Sequence, residues 1–380
     1  MTEKNTKPLT VCYFGVNDKI SKNSMTLKRL KQQNINVVDV WAQNKITDLN
    51  SEKHLGNLAL IKRLLTKIKI IPEILKHSDR IRMSDVIFVG YPGHFDLPIA
   101  WVVSKFFHKP LIFDQVTFLV NTLADDVGIM KRQSLLARLT YTAEKFVYSL
   151  PDILLVDSQV LGDYIHEEFG VPSSKIKVVY LGADEEIYKF QGFKKPGKVL
   201  NVIYYGMYNP IHGVEHIVAA ARKLSTDANI QFTMIGTGPL YPMAYELAQK
   251  YKLKNIQFFP SMPEADAQKL LKEADIFLGF MQNLSSADRF IPNKVGQGIA
   301  LGKAVITSRT KVIESVFTDQ ENIYMCLPNN SDSLVKAITD LKTHPLLLEK
   351  IAQNGYKLFN EKFSMRQVGI ELTKIMRSVS

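Results

Sequence analysis

The stretch Val202-Ile203-Tyr204-Tyr205-Gly206, running on to Gly213-Val214-Glu215, and then Ile235-Gly236-Thr237-Gly238-Pro239, sets the pattern of this chain. Each piece reads as a buried strand, a glycine turn and a helix. Glycine lets the backbone pass close to a ligand, and the helix that follows offers unpaired N–H groups to an anion. By themselves such turns also fit any tight strand-to-helix connection. Further on, Asp288-Arg289-Phe290-Ile291-Pro292-Asn293-Lys294-Val295-Gly296-Gln297 continues to Ile306 as a loop, a helix and a buried strand. Pro292 suits the first turn of that helix. Arg289 and Lys294 then stand at its positive end, where their charges add to the dipole in holding a diphosphate. Gln297 follows Lys294 by three residues and shares its face. A solvated helix face is the alternative reading of the pair.

Outward from this region the same rhythm holds. Short apolar runs at Leu9–Phe14, Ile35–Val40, Val86–Val89, Pro110–Phe113 and Ile153–Val156 alternate with helical patterns such as Ile20–Gln33, Leu97–Phe107 and Lys131–Leu150. After Lys189 a polar, basic stretch, Gln191–Lys198, reads as a linker. Strands are then expected at Leu200–Tyr205, Gln231–Ile235, Ile256–Phe259, Ile276–Leu278, Ala304–Thr307 and Ile323–Leu327, with helices between them and a last helical region from about Leu346 to Met376. Near-continuously apolar strands alternating with helices predict parallel sheets covered on both faces. The fold class is α/β: two Rossmann-like domains facing a central cleft, with ligands beyond the carboxyl ends of the strands. The expected boundaries are 1–190, 191–360 and a C-terminal helix, 361–380, packing back on the first domain.

Length agrees, since 380 residues at roughly 100–200 per domain make two domains or three. Apolar residues at 46% and charged residues at 22% exclude disorder and a coiled coil as the main architecture. Two distant cysteines, Cys12 and Cys326, form neither a disulfide framework nor a zinc motif, which fits a reducing compartment. A formal net charge of +11 favours anionic partners. No run approaches the ~20 apolar residues that span a bilayer, so a cytoplasmic chain is expected, one able to sit on a membrane surface.

The arrangement resembles the second domain of GT-B glycosyltransferases, most closely family 4, through Gly206–Gly213, Gly236–Pro239 and Arg289–Ile306. In the first half the resemblance includes Lys109–Asp114, Val156-Asp157-Ser158, Phe169–Pro172 and Val178–Asp184. It implies a transferase that moves a sugar from a nucleoside diphosphate donor to an acceptor hydroxyl, retaining the anomeric configuration, in surface polysaccharide or glycolipid synthesis. It implies further that Gly206, His212, Gly236, Arg289, Asn293, Lys294 and Gln297 meet the nucleotide sugar. The family's paired glutamates fall here on Arg289 and Gln297, and its diphosphate-binding Arg and Lys fall on Met207 and His212. A Gln still hydrogen-bonds a ribose hydroxyl, and Arg289 and Lys294 replace the lost cations. These departures keep two alternatives open, a silent binding or chaperone subunit and a nucleotide-sugar epimerase.

In the first domain two residues are expected at the acceptor. His94 follows a buried strand in Gly90-Tyr91-Pro92-Gly93-His94, and Asp114 closes the next one, where this superfamily often carries a polar active-site residue. A carboxylate orients or deprotonates a hydroxyl; an imidazole does either or stabilises developing charge. A loop-capping Asp and a loop-satisfied His are the alternatives. Asp125-Asp126 reads as a solvated loop. The chain has no Asp-x-Asp pair and no Cys/His ligand cluster, so no metal and no cofactor are expected. From Lys53 to Arg82 cations outnumber acids among aliphatic residues, a basic amphipathic pattern suited either to an anionic membrane and a lipid-linked acceptor or to an ordinary solvated helix. Nucleic acid is not expected, because no nucleic-acid module accompanies the charge.

Overall fold

The computed structural model describes residues 8–15, 22–40, 70–91, 93–115, 118–121, 131–193, 195, 197–260, 262–282 and 288–380. Asp125-Asp126 and Lys53–Lys69 lie outside the described residues. Two compact units divide the chain: residues 1–157, 161–179 and 368–380 form the first, and residues 158–160 and 180–367 form the second.

The first unit holds a parallel six-stranded sheet in the order β2-β1-β3-β4-β5-β6. Its strands are β1 (Thr10–Phe14), β2 (Asn36–Asp39), β3 (Val86–Val89), β4 (Leu111–Asp114), β5 (Ile153–Val156) and β6 (Ile176–Val178). Every residue of β3, β4 and β5 is buried. The period-two alternation sends them to two separate cores. Cys12, Phe14, Ile87 and Val89 pack on one face, while Val11, Tyr13, Val86 and Phe88 pack on the other. Leu372 and Met376, from the terminal helix Met365–Arg377, complete the second of these cores.

The second unit repeats the design. Its sheet runs β12-β11-β10-β7-β8-β9, also parallel. The strands are β7 (Leu200–Tyr205), β8 (Ile230–Ile235), β9 (Ile256–Phe259), β10 (Ile276–Leu278), β11 (Ala304–Ser308) and β12 (Tyr324–Cys326). The chain enters at β7, builds outward to β9, then returns to the other side of β7 with β10. The order therefore reverses between β7 and β10, and the loops that leave these two strands part around a crevice where doubly wound sheets take ligands.

The expected strands all form. Strand β6 was not anticipated, since it is short and only half-buried. The C-terminal region, expected as one helical stretch, is two helices, Pro345–Leu358 and Met365–Arg377, joined by a π-helical turn at Phe359–Phe363. Between residues 70 and 83 two short helices, Ile70–Lys76 and Ser78–Met83, meet at His77, and Pro72 lies within the first of them.

An unexpected device recurs in both units. Asp85, Asp152 and Asp275 each immediately precede a strand, in the contexts Asp-Val-Ile, Asp-Ile-Leu and Asp-Ile-Phe. Each donates its own N–H to the neighbouring strand: Asp85 to the Thr10 carbonyl at 2.7 Å, Asp152 to Leu111 at 2.8 Å and Asp275 to Asn201 at 2.9 Å. Each carboxylate then accepts the N–H of that same residue, at 2.8 Å in all three cases. The pair of bonds closes the amino edge of the sheet, where the parallel ladder leaves a donor without a partner. Replacing Asp152 with Ala strands the Leu111 N–H. The expected cost is about 1–3 kcal/mol, read as a lower midpoint in thermal unfolding. An unchanged midpoint would mean that strand pairing alone fixes this edge.

Candidate functional site

The site in the second unit starts from two glycines. The backbone turns out of β7 at Gly206 with φ 145° and out of β8 at Gly236 with φ 125°, both disfavoured for a side chain. Space is the stronger constraint. A Cβ on Gly236 would lie 2.0 Å from the carbonyl oxygen of Gly206, and a Cβ on Gly206 would lie 2.1 Å from the ammonium nitrogen of Lys294. The two turns are therefore stacked with no room for a methyl group on Gly236, and the end of the lysine lies against Gly206.

Lys294 comes from the loop and helix that follow β10. Pro292 takes the N-cap position of the helix Asn293–Ala300, and Lys294 is its second residue. Its side chain turns inward and the residue is only 7% exposed. The ammonium lies 5.1 Å from the ring centre of Tyr204 and 5.6 Å from that of Phe280, which gives it aromatic faces. No carboxylate pairs with it among the described residues. Burial without a counter-charge pulls its pKa down to about 7.

His212 stands beside it. The short helical turn Pro210–His212 ends at Gly213, and the imidazole stacks on Phe280 with centroids 4.4 Å apart. Its Nδ1 is 2.8 Å from the Tyr204 hydroxyl, and both groups converge on the Met207 carbonyl. Burial, and next the charge of Lys294, lower its pKa to about 4, while the Met207 carbonyl acts in the opposite sense. At neutral pH His212 is therefore an uncharged hydrogen-bonding group. It does not supply the cation that the resemblance assigns to its position.

Of the other expected residues, Arg289 is half-buried just before the helix, with its carbonyl held by the Ser158 hydroxyl at 2.5 Å. Asn293 is exposed at the first helical position, and Gln297 is half-buried one turn along. Distances thus bring Gly206, His212, Gly236 and Lys294 together, and the helix places Asn293 and Gln297 beside them in sequence order. Tyr204 and Phe280, the aromatic bed of the lysine, were not anticipated. The only signal for them was their position at the carboxyl ends of apolar strands.

Asp114 and His94 belong to the first unit. Asp114 ends β4 and forms an ion pair with Lys22 at 2.6 Å, both side chains nearly buried. Asp157 follows β5. Its Oδ1 is shut away from solvent, with no hydrogen-bond partner among the described residues. Burial raises its pKa to about 6; the charge of Lys22 opposes the rise and that of Asp114 adds to it. Neither Lys22 nor Asp157 was singled out from sequence.

His94 lies in the loop that follows β3, and its ring is enclosed. It is 6% exposed, edge-on to Phe113, with Nε2 3.2 Å from the Tyr148 hydroxyl and 3.5 Å from Glu144. The Tyr148 hydroxyl donates to Glu144 at 2.8 Å, and Glu144 accepts the Leu119 N–H at 2.6 Å. The network fastens the segment after β4 to the helix Leu135–Ser149. Sequence could not reveal this, because Glu144 is the one acid on that helix and reads as a surface residue. Among the described residues no group of three or more His, Cys, Asp or Glu side chains is placed to hold a metal ion.

Residues 185–358 match the family model described as "Glycosyl transferases group 1". An uncharacterized glycosyltransferase of Methanocaldococcus jannaschii is 22% identical over 93% of this chain and 92% of its own. The N-acetyl-alpha-D-glucosaminyl L-malate synthase of Bacillus anthracis is 20% identical over 71% of this chain and 70% of its own. Among solved structures, Anabaena HepE in complex with UDP superposes with a TM-score of 0.70 at 12% identity, covering 98% of this chain and 100% of that one. The same protein in complex with UDP-glucose gives a TM-score of 0.67. At this identity the likeness carries the fold, which is GT-B.

A buried cation without a partner costs stability in the empty protein. Lys294→Met keeps the length of the side chain and removes the charge. It should stabilise the ligand-free protein by on the order of 1 kcal/mol, about 2–4 °C for a unit of this size. A lower midpoint would show the lysine to be structural.

Proposed function

We propose that this chain is a glycosyltransferase of the group 1 family and moves a hexosyl unit from a nucleoside diphosphate sugar to a hydroxyl of a glycan or lipid-linked acceptor, with retention at the anomeric carbon and without metal or cofactor. The observation that carries the donor half of this reading is Lys294: a nearly buried ammonium under the Gly206 turn, with no carboxylate partner among the described residues, at the N-terminus of a helix. Such a group awaits an anion. A diphosphate there would meet the ammonium, the helix N–H groups and the backbone of two glycine turns. The complexes of Anabaena HepE with UDP and UDP-glucose make a uridine diphosphate sugar the first donor to try.

In the reaction the bond between the anomeric carbon and the β-phosphate oxygen breaks. Its electron pair goes to the diphosphate, the acceptor oxygen bonds to the anomeric carbon on the same face, and the hydroxyl proton passes to the departing phosphate oxygen. Charge develops on the leaving diphosphate, and Lys294 with the helix dipole is aimed at such charge. This role is the one a divalent ion fills elsewhere. His212, neutral, contributes a hydrogen bond rather than charge. Asp114, held by Lys22, orients the acceptor hydroxyl in the first unit.

The acceptor belongs to surface polysaccharide or glycolipid synthesis, and the chain works at the cytoplasmic face of a membrane. Among the described residues no helix is long and apolar enough to cross one. The basic stretch Lys53–Arg82, described only from residue 70 onward, is the contact that sequence suggests.

The test is sugar transfer and donor hydrolysis from UDP-glucose and other nucleoside diphosphate sugars, run in excess chelator, for the parent and for Asp114→Asn. Donor turnover by the parent should survive chelation. Asp114→Asn should lower turnover by about 10²–10⁴-fold and leave UDP affinity unchanged. Turnover that chelator removes and magnesium or manganese restores would overturn the metal-free reading. A fall in UDP affinity equal to the fall in turnover would remove Asp114 from the acceptor.

A further inference from the structure

The helices Leu97–Phe107 and Leu135–Ser149 follow β3 and β4, two adjacent strands of the first sheet. Right-handed crossovers set both helices on one face of that sheet, side by side. Their inner residues confirm this, since Leu97, Ala100, Val103 and Tyr148 all enter the same core.

The outer sides of these two helices are unlike ordinary solvated faces. Phe106 and Leu135 are each 73% exposed, and Val102, Leu139 and Phe146 are each more than half exposed. Val102 and Phe106 are four residues apart; Leu135, Leu139 and Phe146 fall at steps of four and seven. Each set forms one stripe, opposite the buried stripe of its own helix. Single exposed apolar residues are common, but five large ones in register on neighbouring helices are not.

The charge on these faces has one sign. Lys105, Arg138 and Lys145 are exposed beside the stripes, and no ion pair links them to a carboxylate among the described residues. The first helix contains no acid, and the second contains only Glu144, which is 1% exposed and turned to the core. Aromatic and aliphatic side chains flanked by cations without acids match the boundary of an anionic bilayer, where the rings enter the acyl edge and the cations meet phosphates. A second copy of the chain fits badly, because two-fold pairing of this face would bring its cations against their own duplicates.

We infer that this two-helix face is a docking surface for an anionic lipid bilayer. It deepens the proposed function and rests on its reading of an acceptor met at a membrane. The contact lies on different residues from the Lys53–Arg82 stretch that sequence alone suggests.

The experiment is co-sedimentation of the full chain with vesicles of phosphatidylglycerol or phosphatidylcholine, at low and high salt, with UDP-glucose hydrolysis measured in parallel. Two variants separate the contributions: Phe106→Ser with Leu139→Ser and Phe146→Ser, and Lys105→Glu with Arg138→Glu and Lys145→Glu. The parent should bind phosphatidylglycerol vesicles and release them as salt rises. The charge-reversed variant should partition roughly a hundredfold more weakly, and the serine variant should lose binding at both salts. Both should keep the donor hydrolysis rate and thermal midpoint of the parent. Equal binding to the two lipids, binding to neither, or variants that bind like the parent would overturn the inference. Binding to neither would leave an acidic protein as the partner to seek. Variants that lose hydrolysis together with binding would also overturn it, since the face would then serve the fold. A parent that binds vesicles through these residues but turns over no donor upholds the surface and removes the transferase reading alone.

Discussion

The second unit is organised around one steric fact: the carbonyl of Gly206 occupies the space a side chain at Gly236 would need, and Lys294 Nζ occupies the space a side chain at Gly206 would need. Strands β7 and β8 deliver two turns that touch, and the helix after β10 delivers a cation beneath them. No separate scaffold is required, because the reversal of strand order between β7 and β10 already brings these loops to one edge. The cost falls on Lys294, desolvated and lacking a carboxylate partner among the described residues, with its pKa drawn to about 7. Such a group is tolerated in a fold when a ligand supplies the missing charge.

That arrangement reassigns the electrostatics of the site. His212 stands at a position where the family resemblance leads one to expect a cation, yet burial and the neighbouring ammonium hold it neutral. Charge has been moved from one loop to another element, while the imidazole and Tyr204 share the Met207 carbonyl and fix the turn. In the first unit charge is distributed differently. Lys22 is neutralised by Asp114, and Asp157 remains beside the pair with its Oδ1 unpartnered among the described residues and its pKa raised.

Much of the fold was legible because it rests on short-range signals. Short apolar runs such as Val86–Val89 and Ile153–Val156, set between helical patterns, read as strands buried on both faces, and Gly206 and Gly236 mark the turns that leave β7 and β8. Strand β6 escaped because three half-buried residues carry no pattern. The reciprocal bonds of Asp85, Asp152 and Asp275 were hidden because their partners are 41 to 75 residues away in sequence. At the site, Lys294 was legible from its place after Ile291-Pro292-Asn293, but its burial and its aromatic bed are tertiary facts. For His94 the sequence leaves an acceptor-facing and a loop-satisfied ring open, and the packing of Phe113, Tyr148 and Glu144 around the ring is a tertiary fact.

If Lys294 receives the donor diphosphate, binding must restore its proton. The direct measurement is calorimetric titration of UDP-glucose, or of whichever nucleoside diphosphate sugar raises the thermal midpoint most, from pH 6 to 9 in buffers of different ionisation enthalpy. The diphosphate of such a donor is fully ionised across this range, so it contributes no proton exchange. In the free protein the lysine loses its proton as pH rises through about 7; in the complex the anion holds it. Between those values the complex binds one more proton than the separated partners. Affinity should therefore weaken about tenfold per pH unit above 7, with close to one proton taken up near pH 8. Affinity that stays level from pH 6 to 9, with no proton uptake, would contradict the assignment of Lys294 to the diphosphate.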